Sequence, residues 1–145
     1  MGVRNKFSPA DNLQITNAIR AAEHATSGEI RVHIEEKCSI DPLDRAAYIF
    51  HKLEMNKTKE RNGVLFYLAL TDRKFAIIGD AGINQKVPEG FWNDVYSIVT
   101  DHFKKGDFTG GLSEGIILAG NQLKAHFPFN KEDVNELTDE ISFGK

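Results

Sequence analysis

Arg61-Asn62-Gly63-Val64-Leu65-Phe66-Tyr67-Leu68-Ala69-Leu70-Thr71-Asp72-Arg73-Lys74-Phe75-Ala76-Ile77-Ile78-Gly79-Asp80-Ala81-Gly82 is the stretch that decides the fold. Val64 to Leu70 and Phe75 to Ile78 are apolar runs of strand length, separated by the polar turn Thr71-Asp72-Arg73. This pattern predicts a β-hairpin. The first run has no polar alternation, so neither of its faces meets water and both faces of the sheet need a cover. A polar, acid-bearing loop lies at each end of the hairpin.

The flanking segments supply that cover. Ser8-Pro9-Ala10-Asp11 reads as a helix start, with Ser8 as cap, Pro9 at the first helical position and Asp11 three residues after the cap. Ile15, Ile19 and Ala22 mark the inner stripe of that helix, and Thr26-Ser27-Gly28 ends it. From Glu29 the period changes to two, with Ile30, Val32 and Ile34 alternating against Arg31, His33 and Glu35. This predicts a half-exposed strand toward a sheet edge, with His33 solvated on the polar face. Asp41-Pro42-Leu43-Asp44 repeats the cap and proline pattern and opens a second helix. Strand, helix, strand implies a right-handed parallel crossover.

Beyond the hairpin, Pro88-Glu89 is expected to open a third helix that carries Trp92, Val95, Val99 and Phe103 inward and ends at Lys104-Lys105-Gly106. A fourth helix follows Asp107-Phe108-Thr109 and runs to Pro128. Its Gly111, Gly115 and Ala119 form a ridge of small residues that lets another backbone approach closely. Residues 1–129 read as a single domain, and residues 130–145 as a short acidic C-terminal helix or tail. The order of elements predicts an α/β fold, a three-layer αβα sandwich around a small mixed sheet of three or four strands.

Composition excludes several function classes. The chain has 145 residues, 41% hydrophobic and 27% charged, with a net charge of −3. That suits one domain with a real core and gives no basic field for nucleic acid. The first residues show no signal peptide and no segment suited to span a membrane, so a cytoplasmic monomer is expected. A single cysteine, Cys38, excludes an internal disulfide and reads as an inert thiol. The five histidines are scattered, and neither a zinc motif nor a nucleophile–base pair is legible.

What remains is acids on connections. If the strands at 29–37 and 63–70 are parallel, their carboxyl ends bring Glu36, Asp41, Asp44, Asp72 and Asp107 toward one rim, where open α/β sheets bind ligands. On the opposite rim Asp80 meets Glu89, beside Asn62 and Glu29. Hard cations such as Ca²⁺ take oxygen ligands of this kind, so either rim suits the chemistry. Asp41 and Asp44 are also explained as helix-cap residues, Glu89 as a first-turn acid and Asp72 as a turn former. Asp80 and Asp107, each after a glycine in a connection, have the weaker structural excuse and are the first candidates.

Asn62-Gly63-Val64-Leu65-Phe66, Asp72-Arg73, the glycine turn at 79–82, Val87-Pro88-Glu89, Gly106-Asp107-Phe108 and Gly111-Leu112 resemble, in order and spacing, the TPM domain. That family is named for a thylakoid-lumen phosphatase-like protein, a photosystem II repair protein and an acetylcholine-receptor accessory protein. The match runs over residues 8 to 128. It implies an αβα sandwich, divalent-metal binding, chiefly Ca²⁺, by acidic loop residues and, for some plant members, acid phosphatase activity. By this resemblance Asp107 matches the family's Gly-Asp-aromatic aspartate, Arg73 its arginine after the hairpin turn, and Glu89 stands where aspartate is usual. Gly79-Asp80-Ala81-Gly82 departs from the family's Gly-aromatic-Gly turn by adding an acid. Most members are secreted or anchored, whereas this chain looks like a stand-alone domain.

Three functions are therefore carried forward. The first is a Ca²⁺-binding module with ligands among Asp80, Asp107, Glu89, Asp72, Asp44 and Asp41, whose loops are ordered by metal and regulate a protein partner. The second is a metal-dependent acid phosphatase. The third is a structural adaptor whose acids only cap helices.

Overall fold

The computed structural model describes residues 7–129 and 141–144. In chain order the elements are α1 (Pro9–His24), β1 (Glu29–Glu35), α2 (Pro42–Lys52), a 3-10 turn (Met55–Lys57), β2 (Gly63–Ala69) and β3 (Lys74–Gly79). They continue with α3 (Ala81–Asn84), α4 (Phe91–Lys104), α5 (Phe108–His126) and β4 (Ser142–Phe143). The strands form one mixed sheet in the order β3-β2-β1-β4. β1 runs parallel to β2 from the Glu29–Gly63 pair to the Glu35–Ala69 pair, and β2 and β3 form the expected antiparallel hairpin. Of the short acidic helix or tail expected at 130–145, residues 130–140 and 145 lie outside the described residues, and Ser142–Phe143 is a strand.

Every residue of β2 is buried, as its unbroken apolar run requires. Val64, Phe66 and Leu68 face a core completed by Ile15 and Ile19 of α1, Val95 and Val99 of α4, and Leu112, Ile116 and Leu123 of α5. Leu65, Tyr67 and Ala69 face the opposite way, onto Ala46, Ile49 and Phe50 of α2 and onto Met55. The sheet is thus sandwiched between α1, α4 and α5 on one side and α2 on the other. The small-residue ridge of α5 seats its neighbours at close range. A side chain at Gly111 would come within 3.0 Å of the Val99 carbonyl, and one at Gly115 within 2.8 Å of the Val99 side chain.

β1 lies toward the sheet edge as expected, with only the two-residue β4 beyond it at His33 and Ile34, but both of its faces are largely buried rather than half-exposed. His33, expected in solvent, is only 6% exposed. At the carboxyl end of β1 its polar face meets partners from α2, β2 and β4. Arg45 of α2 grips Glu35 with two hydrogen bonds of 2.6 and 2.8 Å, and the Tyr67 hydroxyl donates to the same carboxylate. His33 Nε2 lies 3.2 Å from Glu35 Oε1, and its Nδ1 lies 2.9 Å from the Ser142 hydroxyl. Sequence alternation reported a polar face; it did not report that the face has its own buried counter-charge.

The third helix also begins later than expected. Gly90 is its N-cap in the left-handed region (φ 80°), so Pro88 and Glu89 precede it. Gly79-Asp80-Ala81-Gly82, expected as a turn, instead leads into α3, which lies against the 60–61 loop. A Cβ at Gly82 would meet the Glu60 carbonyl at 2.1 Å.

Burial pushes the Glu35 carboxyl up, but the hydrogen bonds from Arg45, Tyr67 and His33 outweigh it and bring the carboxyl down to about 2. Glu35 is therefore an anion that depends on its partners. Replacing Arg45 by Met strands that anion and is expected to cost about 2–3 kcal/mol by urea unfolding, less than for a fully buried pair because Arg45 is partly exposed. Adding Glu35→Gln to Arg45→Met should recover at least half of the loss.

Candidate functional site

Each acid singled out from the sequence has a definite place. Asp41 caps α2, accepting a 2.8 Å hydrogen bond from the Leu43 amide, and Asp44 lies exposed in the first turn of that helix. Asp72, in the β2–β3 turn, accepts from the Cys38 amide at 2.8 Å, and Lys74 Nζ donates to the carbonyls of Cys38 and Ile40. The loop after β1 and the hairpin turn are therefore pinned together at the carboxyl end of the sheet, as parallel pairing of β1 and β2 requires. Glu89 lies exposed before α4. No group of three or more His, Cys, Asp or Glu side chains able to hold a metal ion occurs among the described residues.

Asp80 is the most fully engaged of the six. Its side chain is 6% exposed, and Arg61 Nε and Nη2 donate to its two oxygens at 2.7 and 2.8 Å. The Ala81 amide donates to Oδ1 at 2.7 Å, which starts α3. Arg61 itself adopts a left-handed conformation (φ 53°) to make this bidentate grip. The acid that marks the departure from the family pattern thus closes the loop at 60–63 onto the end of β3.

Asp107 sits differently. It is the N-cap of α5, accepting from the Gly110 amide at 3.0 Å, and about half of its side chain is open to solvent. His102, in the last turn of α4, lies between two carboxylates, with Nδ1 3.0 Å from Asp107 Oδ2 and Nε2 2.7 Å from Glu114 Oε2. Asp107 and then Glu114 raise the His102 imidazole above the usual histidine range, and His102 and then the Gly110 amide lower the Asp107 carboxyl.

Asp107 also lines a cleft at this end of the sheet, about 600 Å³ in volume. Its other walls include Asp11 and Gln14 of α1, Arg73 of the hairpin turn, and Thr109 and Gly110 of α5. The starts of two helices thus meet there. Asp11 belongs to a capping box, its carboxylate accepting from the Ser8 amide while the Asp11 amide donates to the Ser8 hydroxyl. Hydrogen bonds from Ser8 and, more weakly, from the Thr109 hydroxyl hold Asp11 below the usual carboxylate range. Arg73 takes a left-handed conformation (φ 54°) at the edge of this cleft. The second cleft, about 480 Å³, lies on the α2 side and is lined by Glu35 to Ile40 and Arg45.

A hard cation takes about six to eight oxygens. The six acids read from the sequence do not converge to supply them: they divide between the α2 cap, the hairpin turn, the Arg61 pair, the start of α4 and the large cleft. The large cleft itself carries only oxygen donors for a cation, from Asp11, Asp107, Thr109 and Gln14, with no thiol or imidazole among its lining residues. Such donors fit a hard ion completed by water rather than a transition metal. Asp11 was legible in the sequence as a capping acid. Its nearness to Asp107 was not, because it depends on α1 and α5 packing side by side.

A mixed four-stranded sheet between helices, with an acid-lined cleft at the carboxyl end of its parallel strands, is the class of domain defined here. The chain belongs to the TPM domain family, whose model matches residues 4–122. The structure of the BA42 protein from the psychrophilic bacteria Bizionia argentinensis sp. nov. is similar to it, with 46% sequence identity and a TM-score of 0.88. That match covers 95% of each chain. The N-terminal domain of a protein from P. gingivalis shares the fold at 21% identity and a TM-score of 0.69, over 83% of this chain and 78% of that one. The N-terminal domain of the cg2496 protein from Corynebacterium glutamicum does so at 15% identity and 0.67, over 83% and 76%. No curated protein matches the chain at the same stringency. No helix among the described residues is long and apolar enough to cross a membrane.

Two outcomes separate the structural acid from the cleft acid. Asp80→Ala should lower stability by about 2–3 kcal/mol, since it leaves Arg61 and the α3 amide without their acceptor. Asp107→Asn should change it by less than about 1 kcal/mol, because Asn caps as well as Asp. Thermal or urea unfolding reads both. The two partnered histidines should titrate in opposite directions by NMR. His33, which burial lowers, should titrate below an ordinary histidine and His102 above one. By linkage, the His33 contribution is complete above the unfolded-state value near 6.5 and is lost as pH falls from there through its folded value. The His102 contribution is complete below that value and is lost as pH rises through its raised folded value.

Proposed function

We propose that the cleft between the starts of α1 and α5 and the β2–β3 turn is a divalent-cation site, with Asp11 and Asp107 as its carboxylate ligands and Ca²⁺ as its first candidate. The observation that carries this reading is the meeting of those two carboxylates with the Thr109 hydroxyl in one solvent-open cleft. Gln14 and main-chain carbonyls of the 106–108 connection supply further oxygens, and water completes the shell. With so few charged ligands the affinity belongs to the weak class, around 10⁻⁴–10⁻³ M. A bound cation would relieve the repulsion between the two carboxylates and tie the start of α5 to that of α1. In this reading the domain is a module that presents an ordered acidic rim to a protein partner.

Asp107 matches the family's Gly-Asp-aromatic aspartate and lines this cleft, whereas both oxygens of the buried Asp80 accept from Arg61. Asp41, Asp44, Asp72 and Glu89 lie outside the lining of this cleft and are not ligands in this proposal. A second reading, a metal-dependent phosphatase, is favoured by one specific feature: Arg73 stands in the same cleft as the two acids, where a guanidinium suits a phosphate ester. A bound cation would there polarise the ester and activate water.

Calorimetric titration with Ca²⁺ tests the first reading. Wild type should bind with a millimolar or submillimolar constant, Asp107→Asn and Asp11→Asn should each weaken binding at least tenfold, and Asp44→Asn should leave it unchanged. No heat at 10 mM Ca²⁺ leaves the structural adaptor, and equal binding by all four proteins overturns this cleft as the cation site. Metal-dependent turnover of a generic phosphate ester that is lost in Arg73→Ala selects the phosphatase.

A further inference from the structure

β1 is covered unequally on its two sides. β2 pairs with it along seven residues, whereas β4 pairs with it only at His33 and Ile34. The four described residues of the C-terminal segment, Ile141 to Gly144, are all only half-buried, unlike the wholly buried β2. Their seat is nonetheless selective at every position. Ile141 and Phe143 pack against the core on the α1 side. Ser142 points to the other side, with its hydroxyl 2.9 Å from His33 Nδ1. The Gly144 amide donates to the Ile34 carbonyl at 2.7 Å. A side chain at Gly144 would come within 2.8 Å of Glu35 Cβ, which the backbone holds in place, so only glycine fits there.

We infer that this edge of β1 is a strand-acceptor site, at present filled by the chain's own C-terminal segment and open to an extended segment of a partner protein running parallel to β1. The partner segment is defined by the seat: a large apolar residue, a small hydroxyl-bearing residue facing His33, a second large apolar residue, and glycine over Glu35. Two physical features support exchange. A short terminal strand held by few pairings belongs to the low-stability end of local opening, while the strands beneath it open only with the whole domain. An uncovered strand edge is a template for main-chain hydrogen bonds, with specificity set by pockets for alternate side chains. The floor of the seat is preorganised, because Glu35 is held by Arg45 of α2 and Tyr67 of β2, neither of which belongs to the C-terminal segment. The inference does not depend on the cation reading.

Hydrogen exchange on the wild-type chain tests release directly. The Gly144 amide should exchange at least a hundredfold faster than those of Phe66 and Leu68, and equal rates would overturn the proposal. The second test uses full-length, isotope-labelled Phe143→Ala and a peptide with the sequence of residues 139–145. Saturable shifts confined to residues 32–35, and at least tenfold weaker binding of the same peptide carrying Gly144→Val, are expected. Unchanged amides at millimolar peptide in a folded variant, or equal binding of the two peptides, would overturn it. Concentration-dependent dimerisation of wild type by exchange of this segment would also overturn it, assigning the seat to a second copy of the chain.

Discussion

Burial of β2 on both faces is the constraint on which the rest of the structure depends. A strand without a wet face has to lie inside a sheet, and that sheet needs a helical layer on each side. α1, α4 and α5 form one layer, and α2 with the 55–57 turn forms the other. Parallel pairing of β1 with β2 then carries the loops after both strands to the same end. A cleft lined by residues of α1, α5 and the hairpin turn opens there, and another is lined by the loop after β1 and Arg45 of α2. The location of the candidate site follows from this arrangement.

Charged residues inside the fold follow a second rule. Glu35 and Asp80 are both removed from water, and each is gripped by an arginine with two hydrogen bonds. One pair joins α2 to β1, and the other joins the 60–63 loop to the end of β3. Both are architectural. Asp11 and Asp107 instead keep their carboxylates at the mouth of a cleft while they cap helices. Capping uses only part of a carboxylate's accepting capacity, so a capping acid can also serve a ligand.

The hairpin, the capping box at Ser8 and the Asp41-Pro42 start were legible because each is a local pattern whose physics is complete within a few residues. The ridge at Gly111 and Gly115 was legible because small residues at that spacing have one mechanical use. His33 was misread because alternation cannot distinguish a face in water from a face roofed by a helix bearing counter-charge. Arg45, ten residues beyond Glu35 and on another layer, gave no local sign. The pairing of Asp80 with Arg61 was not legible for a similar reason, since the two residues stand at opposite ends of the hairpin sequence. The family resemblance singles out Asp107 and Arg73, which line one cleft, and only the fold adds Asp11 to that lining.

If the cleft between α1 and α5 is where the domain does its work, a paramagnetic ion should reveal it. Substoichiometric Mn²⁺ added to the isotope-labelled protein should broaden amides at 9–14, 71–73 and 106–111 first, leaving residues 79–90 sharp. Broadening centred on 79–90, around Asp80 and Glu89, would contradict the account.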